Sequence, residues 1–136
     1  MQLIREARDT SVPDGITISS YDKRRHHGEI PIVYAEAFAA SRWPEDWDCF
    51  SEFDPHGVFV AEFSSTSETI GYVISFRRKS TGHVSVLAVI PSYQRLGIGT
   101  ALLRAAIDYL RDIGAESIEV DACMCLVKWC RLVGAS

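Results

Sequence analysis

No apolar run in this chain of 136 residues reaches the roughly 18 residues that a membrane-crossing helix needs. The opening Met1-Gln-Leu-Ile-Arg-Glu6 also lacks the apolar centre of a secretion signal. The expected setting is therefore the cytoplasm, with no membrane partner. Cysteine is scarce: Cys49, Cys123, Cys125 and Cys130 are the only four, and no two have Cys-x-x-Cys spacing. That spacing argues against a zinc knuckle and for reduced thiols rather than a disulfide framework, so no metal is expected. Positive charge is short as well. A net charge of −4 leaves no broad basic surface for nucleic acid, and the run Lys23-Arg-Arg-His-His27 reads as a solvated loop or helix start. Repeats and low-complexity segments are missing, and 47% hydrophobic residues suffice for one core. The chain is expected to form a single domain, 1–136.

What is present is an alternation of strands and helices. Residues 15–20 read as a short strand after Pro13, Asp14 and Gly15. A helix follows, with Pro31 in its first turn and Ile32 to Ala39 continuing it. Trp43, Trp47 and Phe50 recur at helical spacing, which predicts a second short helix with an aromatic face. Residues 57–63 and 69–76 read as strands joined by the polar loop 64–68, and the turn 79–82 leads into the apolar run His83-Val-Ser-Val-Leu-Ala-Val-Ile90. Leu103, Ile107 and Leu110 mark the apolar stripe of a long helix that Gly114 closes, and Ser117-Ile-Glu-Val120 begins another strand.

Between the apolar run and the long helix lies Gln94-Arg-Leu-Gly97-Ile-Gly99-Thr100. A helix leaves its first backbone N–H groups unpaired, and glycines beside them let an anion approach without a Cβ in the way. A P-loop would need a lysine after Gly99, where Thr100 stands. A dinucleotide fingerprint would need a small residue where Leu102 stands. The remaining pattern, Gln94-x-x-Gly97-x-Gly99, resembles the acyl-coenzyme A pyrophosphate loop of the GNAT superfamily of N-acetyltransferases. The order of elements, β-α-α-β-β-β-α-β-α, resembles that superfamily too.

The resemblance implies a mixed α/β (α+β) fold with a mostly antiparallel central sheet and helices on both faces, here shortened at the C-terminus. It implies acetyl-CoA as acyl donor. With Gln94 opening the same cofactor site, backbone N–H groups of Arg95, Leu96, Gly97, Ile98, Gly99 and Thr100 would hold its pyrophosphate, and main-chain groups of Leu87, Ala88 and Val89 would pair with its pantetheine arm. The Arg95 side chain either adds charge to the site or is an ordinary surface arginine.

Attack on a thioester needs a neutral amine, and a lysine-like amine near pKa 10.4 must lose a proton first. His83 occupies the strand position where many family members carry a glutamate base, and either fills that role or serves as a strand-end hydrogen-bonding residue. The family's usual proton donor to the leaving thiolate is a tyrosine of a C-terminal helix. Its place falls on Cys130, which is either a thiol donor or a small buried residue. Of the family pattern around it, Gly134 and the aromatic Trp129 persist, whereas Cys123 and Ala135 depart.

Acidic and aromatic residues alternate from Trp43 to Asp54, where family members line their acceptor pockets; the mixture suits either a bound cation or a buried aromatic stripe with a solvated acidic face. The sequence thus predicts an N-acyltransferase that moves acetyl directly to a primary amine of a small molecule or peptide in a ternary complex. An exposed sheet edge at the shortened end would be covered in a homodimer. The alternative is a weakly active or inactive acyl-CoA-binding regulatory or interaction module.

Overall fold

The computed structural model describes residues 12–39 and 46–120. These residues form one five-stranded sheet in the order β1-β2-β3-β4-β5. The strands are β1 (Ile16–Ser20), β2 (Val58–Phe63), β3 (Thr69–Arg78), β4 (Thr81–Val89) and β5 (Ser117–Val120). β1 to β4 meander antiparallel, whereas β4 and β5 run parallel, from Thr81 opposite Ser117 to Val84 opposite Val120. A parallel pair needs a crossover, and the long helix supplies it. Helices α1 (Lys23–His26) and α2 (Ile30–Phe38) lie between β1 and β2, and α3 (Ile98–Asp112) lies between β4 and β5.

The expected placement of helices on both faces is what the core shows. α3 turns Ile98, Leu102, Leu103, Ala106, Ile107 and Leu110 onto Ala61, Val73, Val84, Leu87 and Val89 of the sheet. Ile30 and Val33 of α2, with Trp47, cover the opposite face at Val58, Val60, Tyr72, Ile74, Val86 and Ala88. Each fully buried Leu or Ile in these layers contributes roughly 1.5–3 kcal/mol.

Strict alternation fails once along β4. Ile74 opposes Val86 and Ser75 opposes Val84, so Ser85 is an extra residue. Val84 faces α3, yet Val86 faces α2. Such a bulge moves every later side chain to the other face.

α3 ends where its sequence says it must. The N–H of Ala115 reaches Leu110 O at 2.9 Å, that of Gly114 reaches Arg111 O at 3.0 Å, and Gly114 has φ +95. This is a Schellman closure with glycine in the left-handed conformation.

The predicted helix around Trp47 and Phe50 is a correction. Residues 46–48 form a turn, residues 49–54 are irregular, and Trp43 lies outside the described residues. Helical spacing misled because the aromatic rings meet one another in a cluster instead of lining one helix face. Trp47 packs edge-on against Tyr21 and Phe53, and Phe50 against Phe53 and Phe76.

Candidate active site

β4 delivers the chain to a short 3-10 turn, Pro91–Tyr93, and then to the glycine-spaced loop. The loop turns sharply because two of its residues are left-handed: Arg95 at φ +67 and Gly97 at φ +87. Gly97 is the N-cap of α3, and no side chain caps the helix there. The first-turn N–H groups of Ile98, Gly99 and Thr100 precede the first intrahelical bond, that of Ala101 N–H to Gly97 O at 3.1 Å. Together they present uncapped donors at the positive end of a fifteen-residue helix. Gly99 is buried in that first turn, whereas Arg95 and Leu96 are exposed at the loop's crest.

Gln94 takes a part that the sequence did not show. Its side-chain Nε2 donates to Val89 O at 2.9 Å, so it ties the loop to the end of β4. Leu87, Ala88 and Val89 are buried side chains of that same strand end. On the β3 side they pair with Val73, Tyr72 and Gly71. The strand end and the glycine loop are therefore braced as one unit. The uncapped helix start and the left-handed Gly97 fit a phosphate-bearing ligand such as coenzyme A.

His83 sits lower on the same strand, facing the α2 side. Its ring stacks on Phe76, with centroids 5.2 Å apart and planes 20° from parallel. Its Nδ1 lies 3.8 Å from Oε2 of Glu119 on β5. Glu119 was not singled out from the sequence, since parallel register across a long crossover cannot be read from spacing. The only signal was a carboxylate in the strand that follows the helix. Cys130 lies outside the described residues, as do Cys123, Trp129, Gly134 and Ala135.

The acidic segment is held by internal contacts. Trp47 Nε1 donates to His27 O at 3.2 Å, Asp48 Oδ2 lies 3.4 Å from His27 Nδ1, and Glu52 pairs with Arg78 at 3.3 Å. Burial tends to raise the Glu52 carboxyl, but the hydrogen bond and charge of Arg78 outweigh it and leave the group below its ordinary range. Asp54 Oδ1 caps the 3-10 turn Pro55–Gly57 by accepting the N–H of His56 at 3.0 Å, and Oδ2 accepts from Tyr109 of α3. Among the described residues, no group of three or more His, Cys, Asp or Glu side chains is gathered for a metal. No described helix is long and apolar enough to cross a membrane.

A mostly antiparallel sheet covered on both faces, with an uncapped glycine loop between β4 and the crossover helix, defines an acetyltransferase-type fold. The family profile "Acetyltransferase (GNAT) family" matches residues 20–127. The chain belongs to the GNAT family, which uses acetyl-CoA as donor and acts on amines of peptides or small molecules.

A mycothiol acetyltransferase of Propionibacterium freudenreichii is 34% identical over 99 residues, which cover 70% of this chain. The chain spans 30% of that relative's length. A GCN5-related N-acetyltransferase from Sphaerobacter thermophilus superposes with a TM-score of 0.72 at 20% identity, over 81% of this chain and 36% of that one. The ribosomal-protein-S18-alanine N-acetyltransferase of Escherichia coli superposes with a TM-score of 0.68 at 21% identity, over 88% of this chain and 74% of that one. At these identities the two structures share the fold.

Proposed function

We propose that this chain is an N-acyltransferase domain that moves the acetyl group of acetyl-CoA to a primary amine by direct attack in a ternary complex. The observation that carries the reading is the uncapped first turn of α3 behind Gly97 at φ +87, braced to β4 through Gln94 and Val89. Acetyl-CoA, when bound, supplies the thioester whose carbonyl carbon the amine attacks. Main-chain donors from Arg95 to Thr100 hold the pyrophosphate, and main-chain groups of Leu87, Ala88 and Val89 align the pantetheine arm.

His83 accepts the proton that the amine gives up. A new N–C bond forms as the C–S bond breaks, and the departing thiolate takes a proton, with Cys130 the proposed donor. The mycothiol acetyltransferase relative supports acetyl transfer as the reaction class; the acceptor here is a primary amine of a small molecule or peptide.

The test is thiol release from acetyl-CoA against a panel of amines, with calorimetric titration of coenzyme A alongside. Turnover with at least one amine upholds the reading. Coenzyme A binding without turnover across the panel favours a regulatory acyl-CoA-binding module, which the cysteine at the family's tyrosine position makes the second choice.

A further inference from the structure

The upper end of β4 turns its backbone groups alternately to two sides. Ile90 N–H donates to Ile70 O of β3 at 2.9 Å, and the register continues with Val89 opposite Gly71, Ala88 opposite Tyr72 and Leu87 opposite Val73. In an antiparallel ladder every second pair exchanges hydrogen bonds, so Ala88 directs its N–H and C=O to β3, as Ile90 does its N–H. Gly71 reports the same direction, since a Cβ built on it would stand 2.9 Å from the Ala88 carbonyl oxygen. Leu87 and Val89 turn their groups the other way, to the side on which the described part of β5 pairs as far as Val84 opposite Val120.

That outward row is closed at its top. Gln94 Nε2 donates to Val89 O at 2.9 Å. A carbonyl oxygen can be answered only by the amide's NH2 end, so the chemistry of the partners fixes the orientation of the amide. Gln94 is held at its backbone too: its N–H reaches Pro91 O at 3.3 Å, and its extended φ −72, ψ 158 leads directly into the left-handed Arg95.

We infer that Gln94 is a positioning residue that closes the Val89 carbonyl to the acyl donor, so that the pantetheine arm is read by the N–H and C=O of Leu87 and the N–H of Val89. The inference rests on the reading of this strand end as the coenzyme A site and narrows it from three residues to two. A pantetheine arm carries two amides, each with one N–H and one C=O. The two outward N–H groups can answer both of its carbonyls, whereas the single outward acceptor left, Leu87 O, can answer one of its N–H groups. The tie also keeps the loop start against the strand, so the glycine loop holds its shape before any ligand arrives.

The experiment titrates the full chain calorimetrically with coenzyme A and with two analogues, in each of which a CH2 group replaces the N–H of one pantetheine amide and leaves its carbonyl in place. Expected in the parent protein is an unequal response: one analogue binds about three- to tenfold more weakly than the other, the scale of one hydrogen bond. In Gln94→Leu the Val89 carbonyl is open to the second N–H, and the gap between the two analogues closes. In 1H–15N NMR of the parent, the Gln94 side-chain amide protons exchange slowly with water, and they stay protected when coenzyme A is added.

The inference is overturned if both analogues bind the parent equally, since the strand end then reads both N–H groups or neither. It is overturned as well if coenzyme A abolishes the protection of the Gln94 amide, or if the gap persists unchanged in Gln94→Leu. The analogue comparison in the parent decides even where that variant does not fold. Absence of coenzyme A binding to the parent would bring down the coenzyme A reading itself and this inference with it, whereas normal binding with equal analogues brings down the inference alone.

Discussion

His26 and Glu62 are joined inside the protein: Nε2 of the fully buried imidazole lies 3.2 Å from Oε2 of the carboxylate, and Nδ1 accepts the backbone N–H of Asp22 at 2.9 Å. With its Nδ1 lone pair engaged, the ring keeps its hydrogen on Nε2 and donates to Glu62. Ser19 Oγ donates to Oε1 at 2.8 Å and Arg25 to Oε2 at 2.7 Å, so one carboxylate locks β1, β2 and α1 together.

Burial pushes the Glu62 carboxyl up, but the bonds from Ser19, Arg25 and His26, with the charge of Arg25, outweigh it and hold the group below its usual range. A carboxyl depressed in the folded state adds stability above its unfolded value of about 4.3, and that stability is lost as pH falls through the lower folded value. Urea unfolding should therefore weaken steeply below about pH 4. Glu62→Gln should lose about 1–3 kcal/mol at pH 7, the cost of disrupting a buried hydrogen-bonded group, and should show a flatter acid limb. Equal slopes in parent and variant would show that Glu62 carries none of the acid sensitivity.

Tyr109 gives the opposite signature at high pH. Burial first, then its bond to Asp54 and that residue's charge, push the phenol from 10.0 to about 12. A group whose pKa is raised on folding contributes fully below the unfolded value, and the contribution disappears as pH rises through the folded one. Stability should decline between about pH 10 and pH 12, and Tyr109→Phe should reduce that decline. Tyr21, likewise raised to about 12 by burial and by Asp48 and Asp22, supplies the residual slope. Thermal melts in an alkaline buffer series provide the check.

Coenzyme A affinity should depend on the backbone of the loop more than on its charge. Gly97→Val forces a β-branched residue to φ +87, and Gly99→Val places bulk in the buried first turn of α3. Both should abolish binding in calorimetry. Arg95→Ala removes an exposed side chain and should weaken binding about tenfold or less. If the two valine variants fold and bind normally, the pyrophosphate is held elsewhere.

His83→Gln should leave the fold and coenzyme A affinity in place and slow acetyl transfer by roughly 10²-fold, within the usual range for a positioned general base. Rates at saturating acetyl-CoA measure this directly. An unchanged rate would remove the imidazole from the reaction.

Two glycines make a matched pair for stability. A Cβ on Gly57 would stand 2.2 Å from the carbonyl oxygen of Ser75, which is backbone and cannot swing away, whereas a Cβ on Gly28 would meet nothing within 4 Å. Gly57→Ala should destabilise by about 2 kcal/mol or more, in the range of overpacked cores. Gly28→Ala should be neutral or gain up to about 1 kcal/mol. Chemical denaturation of both variants tests the contrast.

Much of this layout was legible in the chain. β2 (Val58–Phe63) and β3 (Thr69–Arg78) fall on the runs read as strands over 57–63 and 69–76, and the stripe Leu103, Ile107, Leu110 marks the buried face of α3 because one buried stripe repeats at the helical period. The glycine loop could be placed because strand, turn and helix signals bound it on both sides. What sequence withheld are relations across strands. Ser85 reads as one more strand residue, since a bulge has no composition of its own. Glu62 is one more residue of the run 57–63, and nothing local marks that Arg25 and His26 come to it from α1. The pairing of Glu119 with His83 depends on a register fixed by the packing of α3, thirty-six positions of chain after His83. Trp47 was misplaced in a helix because aromatic spacing cannot distinguish a stripe from a cluster.

The extra residue at Ser85 makes the two halves of β4 agree in which face they present. Below it, His83 looks toward α2; above it, Val86 and Ala88 look the same way, although an unbroken strand would have sent them to the opposite side. The His83 ring and the side chains of Val86 and Ala88 are thereby set on one continuous wall. A single added or deleted residue between them would turn that wall inside out, with every atom of the glycine loop still in place.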